Sequence, residues 1–230
     1  MDQRKGIYEL LNDVYRDKEA WTEVNEVLRA ENFEDSTDYT DPFVNLIIGI
    51  LSQNVNDRNS TKAYIGLARK FDITPDVLAE AEVEEIRNAI KPGGLYNIKS
   101  KRIKDFSRKV MEVYDGDLSR ILSLPAEEAK RALMALPGIG TKTADVCLAV
   151  CAKREVVAVD TNVDRVAKRL GLVDKDAGYE EVKEALEKRI PPVNRGRTHE
   201  LLVRLGRDYC KPIKPSCESC PLRSLCKKKL

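Results

Sequence analysis

Four of the six cysteines fall in one short segment, CKPIKPSCESCPLRSLC, at Cys210, Cys217, Cys220 and Cys226. Thiols at this spacing, C-x6-C-x2-C-x5-C, can close disulfides, hold a zinc ion or ligate an iron-sulfur cluster. The N-terminal stretch MDQRKGIYELLNDVYRDKEAW carries charges where a signal peptide needs an apolar run, and no segment approaches the ~20 apolar residues that cross a bilayer. The expectation is an intracellular, cytoplasmic protein without membrane association, in which clustered cysteines hold metal rather than form disulfides. Structural zinc usually takes two C-x2-C knuckles or a knuckle with a histidine pair. Here only Cys217 and Cys220 are paired, and Cys210 and Cys226 stand off on either side, which suits the four corners of a [4Fe-4S] cube. Zinc is the alternative at this point.

The elements that must position these thiols are helical. Most of the 230 residues carry a 3.6-residue apolar period with little strand-like alternation, so the fold class is all-α. DPFVNLIIGILSQ opens with Asp41 as an N-cap and Pro42 at the first helical position, then runs apolar enough to be a central buried helix. PAEEAKRALMAL, Pro125 to Leu136, is an amphipathic helix stopped by Pro137, Gly138 and Gly140, and TKTADVCLAVCAKR restarts a helix. TNVDRVAKRLGLV is another, with Asp160 as N-cap and Gly171 just past its end. Cys147 and Cys151, four apart on a helix, read as small core residues, and His199, the single histidine, as a structural one.

A two-glycine hairpin, LPGIG, therefore separates two helices. Glycines permit positive φ and close backbone approach, and the helix that follows directs free N–H groups at whatever lies beyond its first turn. An anion fits there. The charge distribution agrees with a polyanionic partner: acidic residues outnumber basic ones eleven to five over residues 1–40, while the C-terminal region is strongly basic, and a second basic run, YNIKSKRIKDFSRK, occupies residues 96–109. Solvated helix faces would give the same runs without any partner.

LPGIGTKTA, then VDTNVDRV, then the four cysteines, preceded by DPFVNLIIGILSQNVND and IKPGGLYNIKSKRIKDF, together resemble the endonuclease III family of helix-hairpin-helix DNA glycosylases over nearly the whole chain. The resemblance implies two helical domains flanking a DNA-binding cleft. One is a six-helix barrel with the hairpin, residues 35–154; the other is an iron-sulfur domain formed by residues 1–34 and 155–230. It further implies a [4Fe-4S] cluster on the four cysteines, and a DNA phosphate bound by hairpin amides at Leu136, Gly138 and Gly140, with a monovalent cation on loop carbonyls. The protein would act as a monomer on duplex DNA carrying a damaged base or an abasic site.

Base excision breaks the bond to C1′, and an amine that attacks C1′ becomes a Schiff base once the base departs. Lys142 matches the family's catalytic lysine, which implies a bifunctional glycosylase and β-elimination lyase. Asp160 matches the catalytic aspartate: ionised as an N-cap, it can also stabilise positive charge on the sugar and assist proton transfer. An extruded nucleotide leaves a gap to be filled. Gln53 and Asn54 resemble the gap-filling segment, with the glutamine one place early and Asn54 at the usual position. Lys211 and Lys214, on the loop between Cys210 and Cys217, would face the DNA backbone. The expected substrates are oxidised pyrimidines such as thymine glycol. Mismatched thymine or uracil, 5-methylcytosine and 8-oxoguanine are alternatives, and a non-catalytic DNA-binding module is the alternative of another class.

Overall fold

The computed structural model describes residues 6–16, 22–33 and 37–227, with Thr22 and Glu23 described by their backbone alone. The described residues hold no strand and thirteen α-helices: α1 Ile7–Tyr15, α2 Thr22–Ala30, α3 Pro42–Ser52, α4 Asp57–Lys70, α5 Pro75–Glu80, α6 Val83–Ala89, α7 Tyr96–Tyr114, α8 Ser119–Leu122, α9 Ala126–Met134, α10 Thr141–Val150, α11 Thr161–Leu170, α12 Tyr179–Glu187 and α13 Arg195–Asp208. Short 3-10 turns precede α7 and α13. No helix among the described residues is long and apolar enough to cross a membrane. The fold is all-α, as the apolar period predicts.

Two compact units divide the chain, one formed by Met1–Lys18 with Lys153–Leu230 and the other by Glu19–Ala152. The sequence places residues 1–34 with the C-terminal segment. The boundary it proposes at 34/35 lies outside the described residues, and the observed division assigns α2 to the other unit. The physical reason is local: α2 packs on α4, and Arg69 of α4 donates to the Glu31 carbonyl just beyond α2, at 2.7 Å.

In the unit Glu19–Ala152, α3 is the central helix. Asp41 caps it by accepting from the Val44 amide at 2.9 Å, Pro42 occupies its first turn, and Phe43, Leu46, Ile47, Ile50 and Leu51 are buried. Phe43 stacks on Phe106 of α7 with ring centroids 5.3 Å apart. Against its other side lies α10. A Cβ on Gly49 would come within 2.5 Å of Thr143 Cγ2, so the absence of a side chain sets how closely α3 and α10 approach. Across the hairpin, Lys130 of α9 and Asp145 of α10 form an ion pair at 3.2 Å, with the Asp145 side chain fully buried.

In the other unit, Ile7, Leu11 and Tyr15 of α1 join a core with Val163, Val166, Leu170, Leu186, Leu201, Leu202 and Leu222. Tyr15 donates its hydroxyl to Asp208 Oδ2 at 2.8 Å, and the Arg204 guanidinium lies 4.4 Å from the ring centroid. Burial, then the Asp208 carboxylate, push the Tyr15 phenol far above its ordinary range. This hydrogen bond fixes α1 to the end of α13.

Candidate active site and thiol centre

α9 ends at Met134 and α10 begins at Thr141, with Gly138 between them at φ +80°, a conformation that favours glycine. Gly140 takes the N-cap position of α10 without a side-chain cap, and the first backbone bond into the helix runs from the Ala144 amide to the Gly140 carbonyl at 3.0 Å. The amides of Gly138, Gly140, Thr141, Lys142 and Thr143 have no acceptor among the described residues. Donors at a helix start carry the positive end of its dipole, so this hairpin is built for an anion. Lys142 stands exposed on that first turn with no hydrogen-bond or ion-pair partner among the described residues.

Two sequence expectations change here. Leu136 is buried, and its amide bonds the Leu133 carbonyl at 3.0 Å. It packs the hairpin into the core and offers a ligand neither a side chain nor an N–H. Gln53 is engaged as well: its Nε2 donates to the Gly138 carbonyl at 2.8 Å, and its Oε1 accepts from Arg102 at 3.0 Å. Asn54 differs. It is exposed, at φ +55°, on the turn that follows α3.

The basic run 96–109 is also less available than its count suggests. Lys99 is buried and donates to the Leu51 and Gly93 carbonyls at 2.7 and 2.8 Å. Lys104 donates to the Ala81 carbonyl at 2.7 Å, and Arg108 to the Ala79 carbonyl at 3.4 Å. These cations hold α7 to its neighbours. What the segment does present is apolar: Leu95, at φ +49°, is 49% exposed, and Tyr96 and Ile98 are exposed beside it. An exposed leucine in the left-handed region is uncommon, and sequence gives no signal for it beyond the adjacent Gly93 and Gly94.

In the other unit, Asp160 caps α11. Its Oδ1 accepts from the Asn162 and Val163 amides, both at 2.8 Å, and its Oδ2 accepts from Asn162 Nδ2 at 3.0 Å. The same helix reaches the thiol segment. Arg165 donates to Asn162 Oδ1 at 2.7 Å, to the Cys210 carbonyl at 2.8 Å and to the Gly206 carbonyl at 3.1 Å. One turn on, Arg169 donates to the Lys211 carbonyl at 2.7 Å and the Pro212 carbonyl at 3.1 Å, and lies 3.6 Å from the Cys210 sulfur.

Cys210, Cys217, Cys220 and Cys226 line one cavity of about 30 Å³, together with Arg169, Tyr209, Pro215 and Arg223. All four are free thiols. No three His, Cys, Asp or Glu among the described residues converge as ligands of a single ion. The four sulfurs surround a space instead, and an all-thiol donor set with adjacent arginines fits an anionic cluster of soft metal. Burial, and then the neighbouring thiols, raise the Cys220 thiol, a penalty that bound metal cations would offset. Lys211 and Lys214 are exposed on the loop that begins at Cys210, with Lys214 at φ +53°. Cys147 is a buried residue of α10 and does not line the thiol cavity, and His199 Nδ1 lies 2.8 Å from the Ala158 carbonyl.

The family model described as HhH-GPD superfamily base excision DNA repair protein matches residues 47–192. The chain belongs to that superfamily. Among HhH-GPD relatives, Endonuclease III of Thermotoga maritima is 41% identical over 187 residues, covering 81% of this chain and 83% of the relative. Endonuclease III of Escherichia coli K12 is 34% identical over 88% of this chain and 92% of its own. Among solved structures, a non-covalent Endonuclease III–DNA complex superposes with a TM-score of 0.78 at 31% identity, covering 96% of this chain and 92% of that one. A trapped Endonuclease III–DNA covalent intermediate gives 0.73 at 32% identity, covering 89% and 92%. This HhH-GPD protein is a DNA glycosylase of base excision repair, and DNA is its partner.

Proposed function

We propose that the protein is a bifunctional glycosylase and abasic-site lyase that removes oxidised pyrimidines, such as thymine glycol, from duplex DNA. The observation that carries this reading is the exposed, unpartnered Lys142 on a helix turn whose amides are all unclaimed. Those amides take the phosphate, which brings the adjacent sugar to the amine. The neutral Lys142 amine attacks C1′, and the bond from C1′ to the base breaks as the base leaves with the electron pair and gains a proton. Opening of the sugar ring leaves an iminium between C1′ and Nζ. Loss of a proton from C2′ then expels the 3′ phosphate, and water releases Lys142. Asp160 is the companion carboxylate. Its cap bonds hold it in place, suited to stabilising positive charge on the sugar and accepting or returning protons. The trapped covalent intermediate of Endonuclease III supports a covalent route.

Asn54 is the residue assigned to the gap left by the extruded nucleotide, and Leu95, apolar and exposed, to the stack beside it. Gln53 serves by holding the hairpin. Cys210, Cys217, Cys220 and Cys226 would hold a [4Fe-4S] cluster, which supplies a rigid anchor for the loop bearing Lys211 and Lys214. Hairpin carbonyls would hold a monovalent cation, and the protein would act as a monomer.

Borohydride reduction on abasic duplex DNA tests the mechanism. The wild-type protein should be trapped covalently and Lys142→Gln should not, whereas an adduct of equal yield in that variant would refute the role of Lys142. Asp160→Asn should slow turnover while abasic-site binding persists. A panel of single-lesion duplexes tests the substrate, and failure to release thymine glycol alongside rapid release of another base would replace the substrate assigned.

A further inference from the structure

Lys99 is 1% exposed, yet no carboxylate lies within ion-pairing distance of it among the described residues, and its partners are two backbone carbonyls. A lysine is almost never buried without a return, because desolvating the ammonium costs several kcal/mol and an apolar side chain of the same length would fill the space. What the ammonium adds is the link between the two carbonyls. Leu51 lies in the last turn of α3, two residues before Gln53, where helix carbonyls lack partners and a cation is favoured. Gly93 lies two residues before Leu95.

Arg102, three residues along α7 from Lys99, continues the connection. It donates to Gln53 Oε1, and its stem packs so closely on Gly138 that a Cβ there would meet Arg102 Cδ at 3.3 Å. Gln53 in turn donates to the Gly138 carbonyl. Three irregular segments thus hang from the start of α7: the turn with Asn54, the loop with Leu95, and the anion-binding hairpin. Each is a loop that would otherwise settle independently, and each offers a ligand something different: an exposed amide side chain, an exposed apolar side chain, and backbone N–H groups.

We infer that Lys99 and Arg102 are positioning residues that tie the two segments filling the damaged stack to the segment gripping the phosphate, so that one bound phosphate sets where both fillers enter. This rests on the assignment of Asn54 and Leu95 to the stack. Cutting the tie should leave the hairpin able to hold an undamaged duplex while the preference for a flexible, base-deficient site falls.

The test compares wild type with Lys99→Met and Arg102→Met. Affinity is measured for an undamaged duplex and for one carrying a tetrahydrofuran abasic analogue, and 2-aminopurine placed opposite the analogue reports unstacking. Far-UV circular dichroism and thermal melts check folding. Expected are undamaged-duplex affinities within about twofold of wild type, a loss of abasic preference of about tenfold, and a weaker 2-aminopurine response. Tenfold is the size of one charge-assisted hydrogen bond ceasing to organise the bound state. A folded variant with full abasic preference and full 2-aminopurine response overturns the inference and leaves the glycosylase reading intact. Should Lys99→Met not fold, Arg102→Met, which empties no buried site, is decisive by the same criterion. A wild-type protein showing no preference for the abasic duplex would overturn the inference together with the stack assignment on which it rests.

Discussion

In the hairpin, the groups offered to a ligand are backbone amides, and the side chains work from behind: Gln53 holds the Gly138 carbonyl, Arg102 lies under Gly138, and the Lys130–Asp145 pair joins the two helices. In the segment from Cys210 to Cys226 the arrangement is reversed. Side-chain sulfurs are offered, and Arg165 and Arg169 secure the backbone behind them through the carbonyls of Cys210, Lys211 and Pro212. The hairpin sits between two regular helices and is held by the protein's own side chains. No α-helix runs through the described residues after Asp208, so that segment's own bonds are turns, the arginines and whatever the thiols hold. One site is preformed, and the other would be finished by the cluster proposed for it.

Removing that cluster tests this contrast most strongly. Oxidative extraction of iron should open the segment after Asp208 to protease within the time that α3 to α10 remain protected; equal protection in both forms would mean that the thiol segment needs no metal. Next in size, Asp145→Ala leaves the Lys130 ammonium in a buried site and should cost about 3–5 kcal/mol, read by denaturant unfolding, with iron content per folded molecule unchanged. Loss of iron in that variant would show that the two regions are not independent. Arg165→Ala should do the converse. It strands the Cys210 and Gly206 carbonyls at a cost of about 2–3 kcal/mol, with faster iron loss and normal binding of phosphate-bearing duplex at the hairpin.

The last effect is a slope against pH. Burial, then the nearby Arg102, lower the Lys99 ammonium from 10.5 to about 8. The unfolded chain therefore binds more protons than the folded one between those values, and wild-type stability rises relative to Lys99→Met as pH goes from about 8 to about 10.5. Parallel melting curves across that range would show that Lys99 titrates as an exposed lysine does.

Local chemistry was readable from sequence where it acts over a few residues. Asp41 with Pro42 opens α3, Asp160 caps α11 and Gly171 closes it at φ +74°, and glycine at 138 marks a left-handed turn. The periodicity predicts a helix over Pro125–Leu136 and the structure forms Ala126–Met134, because Pro137 and the glycines draw the chain into the hairpin early. The groups that are spent or hidden were not readable. Lys99 looks like any member of a basic run until Leu51, 48 residues away, supplies its acceptor. Gln53 looks free until Gly138, 85 residues on, claims it. Lys130 and Asp145 give no sign of each other, since nothing local says that both face inward. Leu136 reads as part of the binding loop although its apolar side chain serves the core.

The bond between Tyr15 and Asp208, 193 residues apart, has a consequence for how the molecule is made. During synthesis α1 emerges before the Glu19–Ala152 unit, and the helices that cover Ile7, Leu11 and Tyr15 emerge after it. The Glu19–Ala152 unit can form while α1 still waits with its apolar face uncovered, at risk of association with other chains. The thiols come later still, so the cluster proposed for them would be added to a chain whose Glu19–Ala152 unit can already be folded.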